Sequence, residues 1–76
     1  MKAIINRKTY NTETATLVYR KNFSTWGDPA GYSEDLLKTK AGNYFIYGVG
    51  GTQSKYPEPV ILPVTAKEAA AFQKED

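Results

Sequence analysis

The sequence predicts an α+β fold: a small antiparallel β-sheet of three to five strands with one C-terminal α-helix packed on it. Three observations carry this. Residues Thr16–Phe23 alternate apolar and polar, as a half-buried strand does. Glu34–Lys40 and Asn43–Val49 are two β-prone runs separated by Ala41-Gly42, which reads as a hairpin. Thr65-Ala66-Lys67-Glu68 has the spacing of a capping box and opens an alanine-rich run.

The first element is Lys2-Ala3-Ile4-Ile5, a short β-prone stretch that ends in a turn at Asn6-Arg7-Lys8. Asn11–Ala15 is expected to make one helical turn, because Asn and Thr cap well. In Thr16–Phe23, strict alternation puts Leu17, Tyr19, Lys21 and Phe23 on one face and Thr16, Val18, Arg20 and Asn22 on the other. Ser24–Ser33 is rich in Gly, Pro, Asp and Ser and reads as a loop of about ten residues. It holds the one tryptophan, Trp26, which either lids a core edge or serves a partner. Asp28, just before Pro29, suits an Asx-type turn.

In the hairpin, Gly42 is expected to take positive φ, in a two-residue turn or at a G1 bulge. The second strand is apolar or aromatic on both faces. Tyr44 and Ile46 point one way, Phe45, Tyr47 and Val49 the other, as in a central strand covered on both sides. Gly48, Gly50 and Gly51 are expected to bend its end into a loop. Val60-Ile61-Leu62 is a short strand that Pro63 ends. The helix opened by Thr65 has about three turns and is marginal alone in water. It is expected to dock through Ala66, Ala69 or Ala70, and Phe72.

The chain of 76 residues reads as a single domain, 1–76. At this size roughly 60% of the unfolded surface is buried, so one face of the sheet is expected to stay partly exposed. There is no cysteine and no histidine, which removes disulfides and any Cys/His zinc site. No apolar run approaches the roughly 18 residues that span a bilayer, and the start turns polar too early for a signal peptide. The expected location is the cytoplasm, without membrane contact. Ten Lys/Arg stand against eight Asp/Glu, a net charge of +2, which permits nucleic acid as a partner without requiring it.

Catalytic chemistry is thinly provided. "GVGGTQSK" lacks the Gly-Lys-Ser/Thr order of a phosphate-binding P-loop. Without His or Cys, the commonest general base and the best nucleophile are missing. Glu34 and Asp35 are adjacent, so on a strand they face opposite ways. The expected protein is not an enzyme, and no cofactor or metal is expected. The aromatics instead suggest binding. The candidate contact residues are Trp26, Tyr32, Tyr44, Tyr47 and Tyr56, with Arg20, Lys38, Lys40 and Lys55. Tyr and Trp are enriched at interface hot spots, so the first reading is contact with a protein, a host or phage target or a second copy of the chain. Basic residues interleaved with aromatics on a sheet also suit a nucleic-acid single strand, the alternative reading. The same pattern fits a plain sheet, since aromatics favour strands and lysines protect sheet edges.

"YNTETATLV", "EDLLKTKAGNYFIYGVGG" and "ILPVTAKEAAAF", which cover most of the chain, together resemble small proteins encoded by phages and other mobile elements of Gram-positive bacteria. In that family a Tyr-Asn/Asp-Thr-Glu-Thr-Ala opening precedes a Lys-Gly hairpin, a "YFxYGxGG" run and a closing helix. Here the turn reads Ala41-Gly42 in place of Lys-Gly, and Val49 replaces an acidic residue; neither change bears on the fold. The resemblance implies a mobile-element accessory protein. Such proteins often bind and disable host defences such as CRISPR, so it implies an inhibitor working inside the bacterial host. It transfers no catalytic residue.

Overall fold

A computed structural model describes residues 1–23 and 29–74 of the chain. Among the described residues it has strands β1 (Lys2–Ile5), β2 (Lys8–Asn11), β3 (Thr16–Asn22), β4 (Tyr32–Lys38), β5 (Tyr44–Gly50) and β6 (Val60–Val64). Helix α1 (Ala66–Lys74) follows them. β3 to β6 form a four-stranded antiparallel sheet in chain order, and β1 and β2 form a separate two-stranded one. The class is α+β, with the helix packed on the sheet.

Residues paired across antiparallel strands share a face, so the register sorts the core. Leu36 lies opposite Tyr19 and Ile46, and Tyr44 opposite Val64. This face receives α1, which adds Ala69 and Phe72 to a core around Leu36. Leu37 lies opposite Leu17 and Phe45, and Tyr47 opposite Ile61. That face is covered by the β1–β2 hairpin, whose Tyr10 joins Leu37, Phe45 and Ile61, with Ala3 and Ile5 beside it. Tyr10 meets Phe45 edge-on, ring centres 5.4 Å apart. Phe45 and Leu36 are fully buried, each contributing on the order of 2–3 kcal/mol.

Each face of the sheet therefore carries a covering element, α1 on one and the β1–β2 hairpin on the other, while Leu17 and Leu62 on the outer strands stay exposed. The second layer is the hairpin, and β2 is the strand that sequence reading did not assign. Its turn, Asn6-Arg7, has φ of 52° and 65°, the paired positive values of a type I′ turn that matches strand twist. Asn11–Ala15 forms a single turn, closed by Ala15 N–H donating to the Asn11 carbonyl.

Other expectations shift for local reasons. A bulge between Leu17 and Tyr19 turns Leu17 to the hairpin face while Tyr19 and Lys21 stay on the helix face, so the four do not share one side. β4 begins at Tyr32, two residues before the expected start, and ends at Lys38. β5 runs one residue past its expected end and takes in Gly50. β6 runs through Pro63, which an edge strand tolerates because no ladder donor is lost on its open side. On α1, Ala69 and Phe72 are buried while Ala66 and Ala70 are exposed.

Two sequence expectations hold at atomic detail. Gly42 has φ of 93° in a loop where its N–H donates to the Thr39 carbonyl and Thr39 N–H to that of Asn43, the arrangement of a G1 bulge. Thr65 N–H donates to Glu68 Oε1 at 3.0 Å, and Glu68 N–H donates to Thr65 Oγ1 at 3.1 Å. The capping box is closed both ways.

Candidate functional site

The helix covers only part of its face of the sheet. Toward the β5–β6 loop the same face is closed by Tyr56, whose ring lies over Gly48. A Cβ at Gly48 would come within 2.6 Å of that ring, so glycine is what lets the ring approach the strand. Ser54 Oγ donates to the Gly51 carbonyl and accepts from Tyr56 N–H, which fixes the loop that delivers Tyr56. The Tyr56 hydroxyl donates to Glu34 Oε2, and Lys55 Nζ stands 3.8 Å from the same oxygen. Burial first, then the bond to Glu34, pushes the Tyr56 hydroxyl well above the usual phenol range.

An aromatic row continues outward from Tyr56. Tyr32 meets Tyr56 edge-on at 5.5 Å, and Phe23 stacks on Tyr32 at 4.8 Å. Phe23 N–H donates to the Tyr32 carbonyl at 2.8 Å, so the pair closes the neck of the loop. Phe23 is 48% exposed.

Of the sequence candidates, Tyr32, Tyr56 and Lys55 come together here. Trp26, like Asp28, lies outside the described residues. Arg20 sits on the opposite face, held by Asp35 through Nε at 2.9 Å and Nη2 at 3.3 Å. The bond to Asp35 raises the guanidinium's pKa, while the Arg20 side chain itself stays exposed to solvent, which weakens the pair. Tyr47 lies across β4 from it, opposite Asp35, and packs against the hairpin-side core. Lys38 Nζ is 5.5 Å from the Tyr44 ring centre, and Tyr44 flanks the helix-side core. Tyr44 and Tyr47 are both half-buried, each packed beside one of the two cores. Phe45 is fully buried between them.

Lys40 lies elsewhere, in a cleft of about 480 Å³ between the hairpin and the β4–β5 turn. Among the described residues that line it, the cations are Lys2, Arg7, Lys8 and Lys40 and none is acidic. The first three were missed by sequence reading. Their signal is the basic Arg7-Lys8 pair in a turn, legible as a patch only once β2 is recognised.

Among the described residues, no group of three or more His, Cys, Asp or Glu comes together to hold a metal ion. No helix among them is long and apolar enough to cross a membrane. Comparison with protein-family models, curated proteins and solved structures gives no match.

Proposed function

We propose that this is a non-enzymatic binding protein that acts by contact with a protein target through the aromatic end built on Phe23, Tyr32 and Tyr56. The single observation behind this is the exposed Phe23 ring, stacked 4.8 Å from Tyr32 on a frame anchored by Tyr56 and Glu34. Like Ile4, Leu17 and Leu62, Phe23 is apolar surface left out of the cores, and it is further held by its stack on Tyr32. Rigid aromatic anchors with a charged neighbour, here Lys55, are the usual makings of a hot spot. Glu34 already binds Tyr56 and Lys55 and is poorly placed to serve as a free general base.

Together with the resemblance to mobile-element proteins, this leads us to a host-defence component as target, a CRISPR effector among the candidates. Inhibition would follow from covering a working surface of that target, in the cytoplasm of the bacterial host. The test is a pull-down from host lysate, with and without nuclease, using the native chain, Phe23→Ala and Lys55→Glu. A protein captured despite nuclease and lost with Phe23→Ala supports the proposal. Capture that disappears with nuclease, or that neither substitution weakens, removes it. Sedimentation of the pure chain checks the homodimer: self-association abolished by Phe23→Ala would make the partner a second copy.

A further inference from the structure

We propose that the cleft between the β1–β2 hairpin and the β4–β5 turn binds the phosphodiester backbone of duplex nucleic acid. This site is remote in the fold from the aromatic end and independent of what that end contacts.

Charge on this chain is segregated. Residues 1–16 and 38–43 hold five of the ten Lys/Arg but one of the eight Asp/Glu, and four of those five cations line the cleft. Among the described residues, the ion pairs within 4 Å are Arg20–Asp35 and Lys55–Glu34, so no described carboxylate pairs with Lys2, Arg7, Lys8 or Lys40. Four like charges gathered around one concavity repel one another and attract a polyanion.

The polar groups between the cations are biased toward donating. Thr39 Oγ1 accepts from Asn43 N–H, and Asn11 Oδ1 accepts from Glu13 N–H. Each oxygen thereby has one of its two lone pairs engaged, and the Thr39 hydroxyl hydrogen and the Asn11 amide hydrogens can donate. Both walls are held by hydrogen-bonded turns, one at Asn6-Arg7 and the other closed at Thr39, so the cations stand on a preformed frame.

The rest of the lining selects among polyanions. It is threonine, asparagine and one alanine, with no aromatic side chain. Lysine, arginine, threonine and asparagine are the residues that contact phosphates. A single strand would need stacking surfaces for its bases, and a protein hot spot would need aromatic anchors where this cleft has lysines. Neither is present, which leaves a backbone that presents only phosphate and sugar.

The test is fluorescence anisotropy of a labelled random-sequence DNA duplex titrated with the full chain. With up to four phosphates engaged, log K against log salt should have a slope of about −3 to −4, a loss of roughly a hundred-fold between about 50 and 200 mM salt. Lys8→Gln/Lys40→Gln should weaken binding at least about ten-fold and flatten that slope by about 2. Lys67→Gln/Lys74→Gln, which removes the same charge from the exposed side of α1, should change little. Circular dichroism confirms that each variant is folded. The proposal is overturned by absence of duplex binding, or by equal losses in the two double variants. It is equally overturned if a single strand, or a polyglutamate peptide of matched charge, binds as tightly as the duplex.

Discussion

The ammonium of Lys21 stands 4.2 Å from the centre of the Phe72 ring, and Lys21 is only 8% exposed. The contact ties β3 to α1, with the lysine stem lying along apolar surface while its charge meets the ring face. Lys21→Ala is expected to cost about 1–2 kcal/mol by loss of both effects. Lys21→Met, which keeps the stem, should recover part of it. Equal urea midpoints for the native chain and Lys21→Ala would show that the contact stabilises nothing.

Gly48→Ala places a methyl carbon against the Tyr56 ring, 2.6 Å from its nearest atom. The ring must move off β5, at a cost of about 1–3 kcal/mol by overpacking. Chemical denaturation measures the loss; a neutral substitution would mean that the ring yields freely.

The Tyr56 hydroxyl, raised by burial and by Glu34, also sets a pH dependence. The unfolded phenol loses its proton near its ordinary pKa of 10.0, while the folded one keeps it. The stabilisation is therefore complete below about pH 10 and is lost progressively above it, because the unfolded state then binds fewer protons. Denaturation midpoints measured from pH 8 upward, about two units below that value, should fall beyond pH 10 in the native chain and fall less in Tyr56→Phe. Identical profiles would remove this role.

Thr65→Ala opens the capping box and should cost about 1 kcal/mol. Because Thr65 and Glu68 bond each other's backbone N–H, the double alanine variant should lose less than the sum of the single losses. Strict additivity in thermal or urea denaturation would show two independent caps.

Arg7 occupies a left-handed position, φ 65°, that an arginine holds at a cost of about 1–2 kcal/mol and a glycine holds freely. Arg7→Gly should therefore raise the unfolding midpoint while weakening duplex binding at the cleft. A variant that is both less stable and equally good at binding would contradict the turn geometry and the proposed site together.

The helix and the β4–β5 turn were readable because their signals are local: Thr65 with Glu68, and Gly42 between two runs. β2 was not, because Lys8–Asn11 is four residues with a single deeply buried side chain, Tyr10. Two-residue periodicity has almost nothing to act on there. The parity of Leu17 and Tyr19 is set by a bulge against β4, which no pattern within β3 announces. The aromatic row was half legible, since Tyr32, Tyr56 and Lys55 stood out as types, but Phe23 joined it only by stacking on Tyr32. The cleft depends on Lys8 and Lys40 meeting across 32 positions of sequence, a proximity that the fold alone creates.

Each strand of the larger sheet pairs only with its neighbours in the chain. Such a meander can assemble hairpin by hairpin, the kind of local topology associated with fast folding. Its middle strands, β4 and β5, are paired on both edges and lidded above and below, so their amides should be the last to exchange with solvent, opening only with the whole molecule. Phe23 lies beyond the strand ends, and the cations of the cleft stand on the hairpin and a turn. Either end can loosen, or be clamped by a partner, in a sub-global fluctuation that leaves the β4–β5 ladder shut.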